Sequence, residues 1–332
     1  MPSSFLSLEK LPDSSGIHLW ADYLELRCLT NSDLAVSKSD LQTYVRKRSD
    51  LRKGLEDYGD ELGPETGLNK LPIDIKKAAQ AEDLFKHLGY RASAFADFYP
   101  FTLSNHGDIL LRRPHLTKKH KLYLFFLLSS NLKHISDKRH RNRFTDAFEI
   151  ASLVALKGYL PQTAEVYLFG TNSLKKKKER YAVLLLERIK RLAADLKEDF
   201  IGDESDFAAN NNGDNGLDVV GWIPMGDDVG GFIIVFGQCS CSDEEWPKKQ
   251  ASSSPAHWRK TIKFLAPPNN MIFIPFCYRR DKGEWHREIT IDDTIVIDRL
   301  RLVKLLETSY HSLKNLPFEL INRALDQREL WM

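Results

Sequence analysis

The chain has 332 residues, of which 42% are hydrophobic and 28% charged, and its formal net charge is +2. That length suffices for one large domain or two modest ones, each burying a core, and the composition is that of an ordinary soluble protein. No apolar run approaches the roughly 20 residues of a membrane span, and Met1 to Leu6 lack the basic and apolar segments of an export signal, so a cytoplasmic location is expected.

From the amino terminus, Ile17 to Leu26 repeats apolar residues at helical spacing, and Ser37 to Asp40 reads as the start of a helix over Leu41 to Tyr58. Pro64, Gly67 and Pro72 interrupt, and a further helix is expected over Ile73 to Leu88. The apolar run Leu122 to Leu128 is expected at the core of a mostly helical first domain, residues 1–140. Basic residues gather in Lys118 to Lys121, Lys138 to Arg143 and Lys175 to Arg180, and acid in Glu198 to Asp206 and Asp243 to Glu245. Opposed fields of this kind can orient a polyanion, and they also describe solvated helix faces.

A second domain, residues 141–332, opens on a helix ending around Gly158. The periodicity then changes. Ala164 to Gly170 alternates as a strand, Glu179 to Phe200 is expected as one amphipathic helix with Leu185, Ile189, Leu192 and Leu196 on one side, and Gly202 to Gly216 is a polar loop. Strands are expected over Leu217 to Ile223 and Phe232 to Gly237, joined as a hairpin. A helix over Glu244 to Leu265, strands at Met271 to Pro275 and Thr294 to Ile297, and a helix over Asp298 to Tyr310 follow. This order predicts an α/β (α+β) fold, a mixed central sheet flanked by helices.

Strand pleating assigns Asp218, Val220 and Trp222 to one face of their strand, and Phe232, Ile234, Phe236, Gln238 and Ser240 to one face of the next. Antiparallel pairing then makes Asp218 and Gln238 neighbours at the end of an apolar row. Oxygen donors so placed suit a magnesium ion, which would sharpen a water nucleophile and steady the charge of phosphodiester hydrolysis. Taken singly, an Asp after a Gly-Asn loop also closes an Asx-turn, and Gln238 or Glu149 also serves as a surface polar group. A separate zinc reading groups Cys239, Cys241 and Cys277 with His257 or His286, although Cys-x-Cys spacing is a weak metal signal and buried free thiols explain it better.

The order of helix Glu149, strand Asp218 in Gly216-Leu217-Asp218-Val219-Val220, and strand Gln238 in Gly237-Gln238-Cys239-Ser240 resembles the PD-(D/E)XK nuclease superfamily, in particular its Mrr-like and Holliday-junction-resolvase-like branches. The resemblance covers about residues 140 to 280. It implies a restriction-endonuclease-like domain, a Mg2+ (or Mn2+) ion held by Glu149, Asp218 and Gln238, DNA as substrate, and a place in bacterial anti-phage defence. The lysine of that family's strand motif is Ser240 here, so its role passes to the following segment, Trp246-Pro247-Lys248-Lys249, with Lys248 the choice and Lys249 the alternative. With no ATPase motif in the chain, a protein partner supplying sensing is expected, and a homodimer is compatible. Arg279 and Arg280 are further candidates to contact phosphate. The alternative is a catalytically weak nuclease-like protein that binds nucleic acid or a partner assembly, which the missing strand lysine favours.

Overall fold

A computed structural model describes residues 4–12, 16–41, 73–170, 179–208, 210–211, 213–314 and 316–328, the side chains of 73–79 excepted. Of the helix expected over Leu41 to Tyr58, residues 42–58 lie outside the described residues, as does the basic run Lys175 to Lys178. The protein is mixed α/β, and its chain divides into two units. Unit 1 comprises residues 1–141, 276–286 and 317–332, and unit 2 residues 142–275 and 287–316.

Unit 1 contains α1 (Ile17–Thr30), β1 (Ala35–Ser37), α2 (Ile73–Phe95), β2 (Phe101–Leu103), β3 (Ile109–Arg112) and α3 (Lys118–Ser129). Helix α4 (Lys138–Tyr159) begins in this unit. The three strands form an antiparallel sheet in the order β1-β3-β2, which the largely helical reading of this region did not contain. Helix α3 is buried almost along its length, from Leu122 to Ser129, and starts on a capping box in which the His120 N–H bonds the Thr117 hydroxyl. At the centre of the unit the fully buried Arg91 guanidinium contacts Asp22 at 2.6 Å and Glu25 at 2.8 Å. The hydroxyls of Tyr99 and Tyr123 also donate to Glu25, so each charge is met by several hydrogen bonds, the condition under which burial is tolerated.

Unit 2 is built on a five-stranded mixed sheet. Its strands are β4 (Glu165–Leu168), β6 (Val219–Trp222), β7 (Ile234–Cys239), β9 (Asn269–Phe273) and β10 (Ile295–Ile297), in the spatial order β10-β9-β7-β6-β4. The pairs β4–β6 and β6–β7 are antiparallel, and β7–β9 and β9–β10 are parallel. On one face α5 (Leu185–Asp195) sets Leu185, Ile189 and Leu192 against Val220, Trp222, Ile234 and Phe236. Leu156 and Leu160, at the end of α4, lie over Gly221. A short pair, β5 (Asp199–Phe200) with β8 (Ile262–Lys263), lies apart from the main sheet. Helix α8 (Arg299–Leu306) follows β10, capped by the Asp298 carboxylate on the Arg301 N–H. The chain then returns to unit 1 as α9 (Phe318–Asp326).

Two expected helices are shorter than their apolar spacing suggested. Helix α5 ends at Asp195 because Lys197 turns into the left-handed region, at φ 56°, before β5. The segment expected as one helix over Glu244 to Leu265 is two single turns, α6 (Trp246–Lys249) and α7 (Pro255–Trp258), followed by β8. Proline disfavours a helical residue before it, and Pro255 sits at the start of a new helix capped by the Ser254 hydroxyl. Gln250 secures the break: it donates to the Thr290 carbonyl at 2.7 Å and accepts from the Asp292 N–H.

Candidate active site

The β6–β7 register pairs Val219 with Gly237 and Val220 with Phe236, and Asp218 stands one step before its first pair. At that step the backbone departs from regular pleating. The N–H groups of Phe169 and Gly170 both donate to the Asp218 carbonyl, at 2.7 and 3.0 Å, so two residues leaving β4 oppose one on its neighbour, as in a β-bulge. On β6 itself the Asp218 N–H donates to the carbonyl of Gly237, the residue that Val219 already opposes, so a second bulge falls here and Leu217, not Asp218, joins Val220 and Trp222 in the core facing α5. The Asp218 side chain turns to Gly170 and to Glu149 of α4. Asp218 Oδ1 and Glu149 Oε2 lie 2.7 and 3.5 Å from the point that a Cβ on Gly170 would occupy. The missing side chain of Gly170 is what leaves that point open.

Asp218 is 4% exposed. Its Oδ2 accepts from the Cys239 N–H at 2.7 Å, and its own N–H donates to the Gly237 carbonyl at 3.0 Å. Burial and the like charge of Asp214 push its carboxyl up to about 7, against the pull of the Cys239 N–H and the positive charge of Lys249. The Asx-turn at this place belongs to Asp214, whose Oδ1 accepts from the Gly216 N–H at 2.9 Å. Asn215 and Gly216 take positive φ there, and a Cβ on Gly216 would lie 2.3 Å from that of Ser252. Beneath the loop the buried Arg188 guanidinium donates to the carbonyls of Phe169 at 2.8 Å and Gly213 at 3.2 Å. One side chain thus ties together the two segments that frame Asp218.

The structure separates the lysine pair. Trp246 is buried, so the residue three places on shares its side of the turn while Lys248 faces solvent. Lys249, ion-paired with Glu245 at 3.5 Å, is the lysine whose charge acts on Asp218 and on Cys241. The signal was present in the sequence as the phase of Trp246 against Lys249.

Gln238 is buried on β7, and pleating places it on the face of Ile234 and Phe236, with Cys239 on the other. Glu149 and the Ser152 side chain of α4 act on the Cys239 thiol, which marks that other face as the one holding the carboxylates. Gln238 Nε2 makes a long contact of 3.4 Å with the Cys239 carbonyl, and its Oε1 is buried without a hydrogen-bond partner. Burial and then the nearby carboxylates push the thiols of Cys239 and Cys241 up, so both stay protonated.

Among the described residues no group of three His, Cys, Asp or Glu side chains converges as a metal-ligand set. The thiols of the zinc reading are divided, with Cys239 and Cys241 in unit 2 and Cys277 in unit 1. His257 belongs to α7, and His286 packs in unit 1 against His18 and Tyr278. Arg279 and Arg280 also fall in unit 1: Arg279 stacks on Trp285 and donates to the Gly283 carbonyl, and Arg280 donates to that of His286. The pair Asp218 and Glu149 nevertheless fits a magnesium-type ion, which commonly takes only one or two carboxylates and fills its other positions with water and substrate phosphate. The open point beside Gly170, bordered by two carboxylate oxygens, is the observation that supports the fit.

No helix among the described residues is long and apolar enough to cross a membrane. No protein-family model, curated protein or solved structure matches this chain.

Proposed function

We propose that unit 2 is a restriction-endonuclease-like domain that hydrolyses DNA phosphodiester bonds with Mg2+ or Mn2+, in the service of bacterial anti-phage defence. The observation that carries this reading is the convergence of Asp218 and Glu149 at Gly170, with the charge of Lys249 acting on the same carboxylate. The element order supports the same reading: a helix with Glu149, a strand opened by Asp218, its antiparallel neighbour β7, and a helical turn bearing a lysine.

When bound, the divalent ion supplies Lewis-acid stabilisation of phosphate charge and a more acidic water. Asp218 and Glu149 would hold it. Asp218 is fixed through the Cys239 N–H and through its own backbone, so its Oδ1 is presented without a conformational search. Lys249 takes the part of the absent strand lysine, replaced at Ser240, orienting water and offsetting negative charge as it develops. Gln238, on the opposite face of β7, is not assigned a ligand role.

Incubation with plasmid, linear and single-stranded DNA in Mg2+ or Mn2+ tests the reading. Cleavage is expected from the native protein and should fall by about 10²-fold or more in Asp218→Asn and Glu149→Gln, the scale of losing a group that stabilises transition-state charge. Cleavage unchanged in both variants would falsify it. The second reading, a nuclease-like domain that binds without cutting, is favoured by Ser240. It predicts DNA binding with no ion-dependent cleavage in any substrate.

A further inference from the structure

Along the chain the basic clusters of unit 1 are separate runs in α3 and α4, far from the last residues. The fold brings α9 beside α3 and gathers cations from four distant segments. Lys121 of α3 is 3.0 Å from the Asn322 side-chain carbonyl of α9. The next residue, Arg323, lies 3.3 Å from His140 Nε2 in the first turn of α4 and stands over the Phe5 ring. Beyond the end of α9, Arg328 bonds only main-chain carbonyls. Its charge depresses Arg112, next after burial itself and ahead of the opposing effect of Asp326.

Lys121, Arg323 and Arg328 have no carboxylate partner among the described residues, and the Nε atoms of Arg112 and Arg141 are buried with no hydrogen-bond partner. The cations on and around α5 are matched instead: Arg180 pairs with Asp195, Lys190 with Glu204, Arg191 with Glu187 and Lys197 with Asp228. Like charges crowded with no carboxylate ion-paired to them raise the energy of the free protein, and a polyanion that supplies the missing charge lowers it again.

We propose that Arg112, Lys121, Arg141, Arg323 and Arg328 form a strip on unit 1 that holds double-stranded DNA through its phosphates. The choice of DNA among polyanions rests on the function proposed for unit 2; the strip itself does not. Contacts of this kind position a duplex without reading its sequence.

The test is fluorescence anisotropy of a labelled DNA duplex, titrated with the full chain in EDTA so that no cleavage intervenes. Binding should weaken as salt rises. Lys121→Glu with Arg323→Glu should weaken it about 10-fold or more at low salt and reduce the log–log salt slope by about 2, one for each phosphate that no longer meets a cation. Lys304→Glu, an exposed lysine of unit 2, should leave both unchanged, and thermal melting shows whether each variant is folded. The milder Lys121→Gln with Arg323→Gln keeps the test valid if charge reversal perturbs the fold. Salt-insensitive binding, binding unaffected by either double variant, or capture of duplex RNA but not DNA overturns the strip. Salt-dependent binding that these variants weaken, in a protein that never cuts, leaves the strip standing and defeats the proposed function instead.

Discussion

A carboxyl at about 7 in a site 4% exposed stores folding free energy as well as chemistry. The unfolded chain titrates Asp218 near 3.9. Because the folded value is higher, the folded state holds the proton more tightly, so the contribution to stability is complete below about pH 4 and is lost as pH rises to about 7. In Asp218→Asn the side-chain carbonyl can still accept the Cys239 N–H while no charge needs burying. Melting in EDTA should therefore show the variant more stable than the native protein at pH 8, by on the order of a few kcal/mol, with the difference closing toward pH 4. Mg2+ should raise the melting temperature of the native protein at pH 8 and not that of the variant; parallel pH profiles with no Mg2+ effect would contradict a buried, ion-binding Asp218. The lysines divide in the same way. Lys249→Ala should cut cleavage by about 10², whereas Lys248→Ala should leave it nearly native, and equal losses would remove the distinction that Trp246 makes between them.

At the scale of elements, the site depends on an interruption in regular structure. Apolar spacing over Leu185, Ile189 and Leu192, and alternation over Ile234 to Gln238, made α5 and β7 legible because each follows a fixed period. The same rule assigned Asp218 to the face of Val220 and Trp222, and the bulge in which Asp218 and Val219 both oppose Gly237 reversed that assignment. A bulge is fixed by its partner on another strand, here Gly237 about twenty residues later in the sequence, and no local period reports it. The joint at Pro255 was legible in its residue type but was outweighed by apolar spacing on either side. Gly170 tests the space that Asp218 is turned into. In Gly170→Ala the new Cβ would lie 2.7 Å from Asp218 Oδ1 and within reach of Glu149 Oε2. Overpacking of this kind costs about 1–3 kcal/mol, and displacing a reacting group by roughly 1 Å can cost about 10² in rate. The expected variant is folded, melts lower and cleaves poorly, while a fully active Gly170→Ala would mean that the space between the carboxylates is not used.

At the scale of the whole molecule, chain order and spatial organisation part company. The chain divides between Arg141 and Asn142, and unit 1 is completed by residues 276–286 and 317–332 from the far end of the chain. Sequence spacing offers no sign of such a return, because long-range pairing leaves no local pattern; the helical period of Leu320, Ile321, Ala324 and Leu325 identifies a buried face but not what covers it. In the structure α9 packs on α1 and α3, and the Gln327 side chain bonds both the N–H and the carbonyl of Leu6 at 2.8 Å. Phe276, Cys277 and Tyr278 are buried as well. Burying a large apolar side chain contributes about 1.5–3 kcal/mol, and a domain is stable by only about 5–15 kcal/mol in all. Residues 1–141 produced alone would lack Leu320, Ile321, Leu325, Phe276 and Tyr278 together, a loss comparable to the entire margin. That fragment is expected to show poor amide dispersion by NMR and no cooperative melting transition, and adding a peptide of residues 317–332 should restore part of the dispersion. A cooperatively folded 1–141 fragment would show that the amino-terminal region holds a core of its own and that the returning segments merely decorate it.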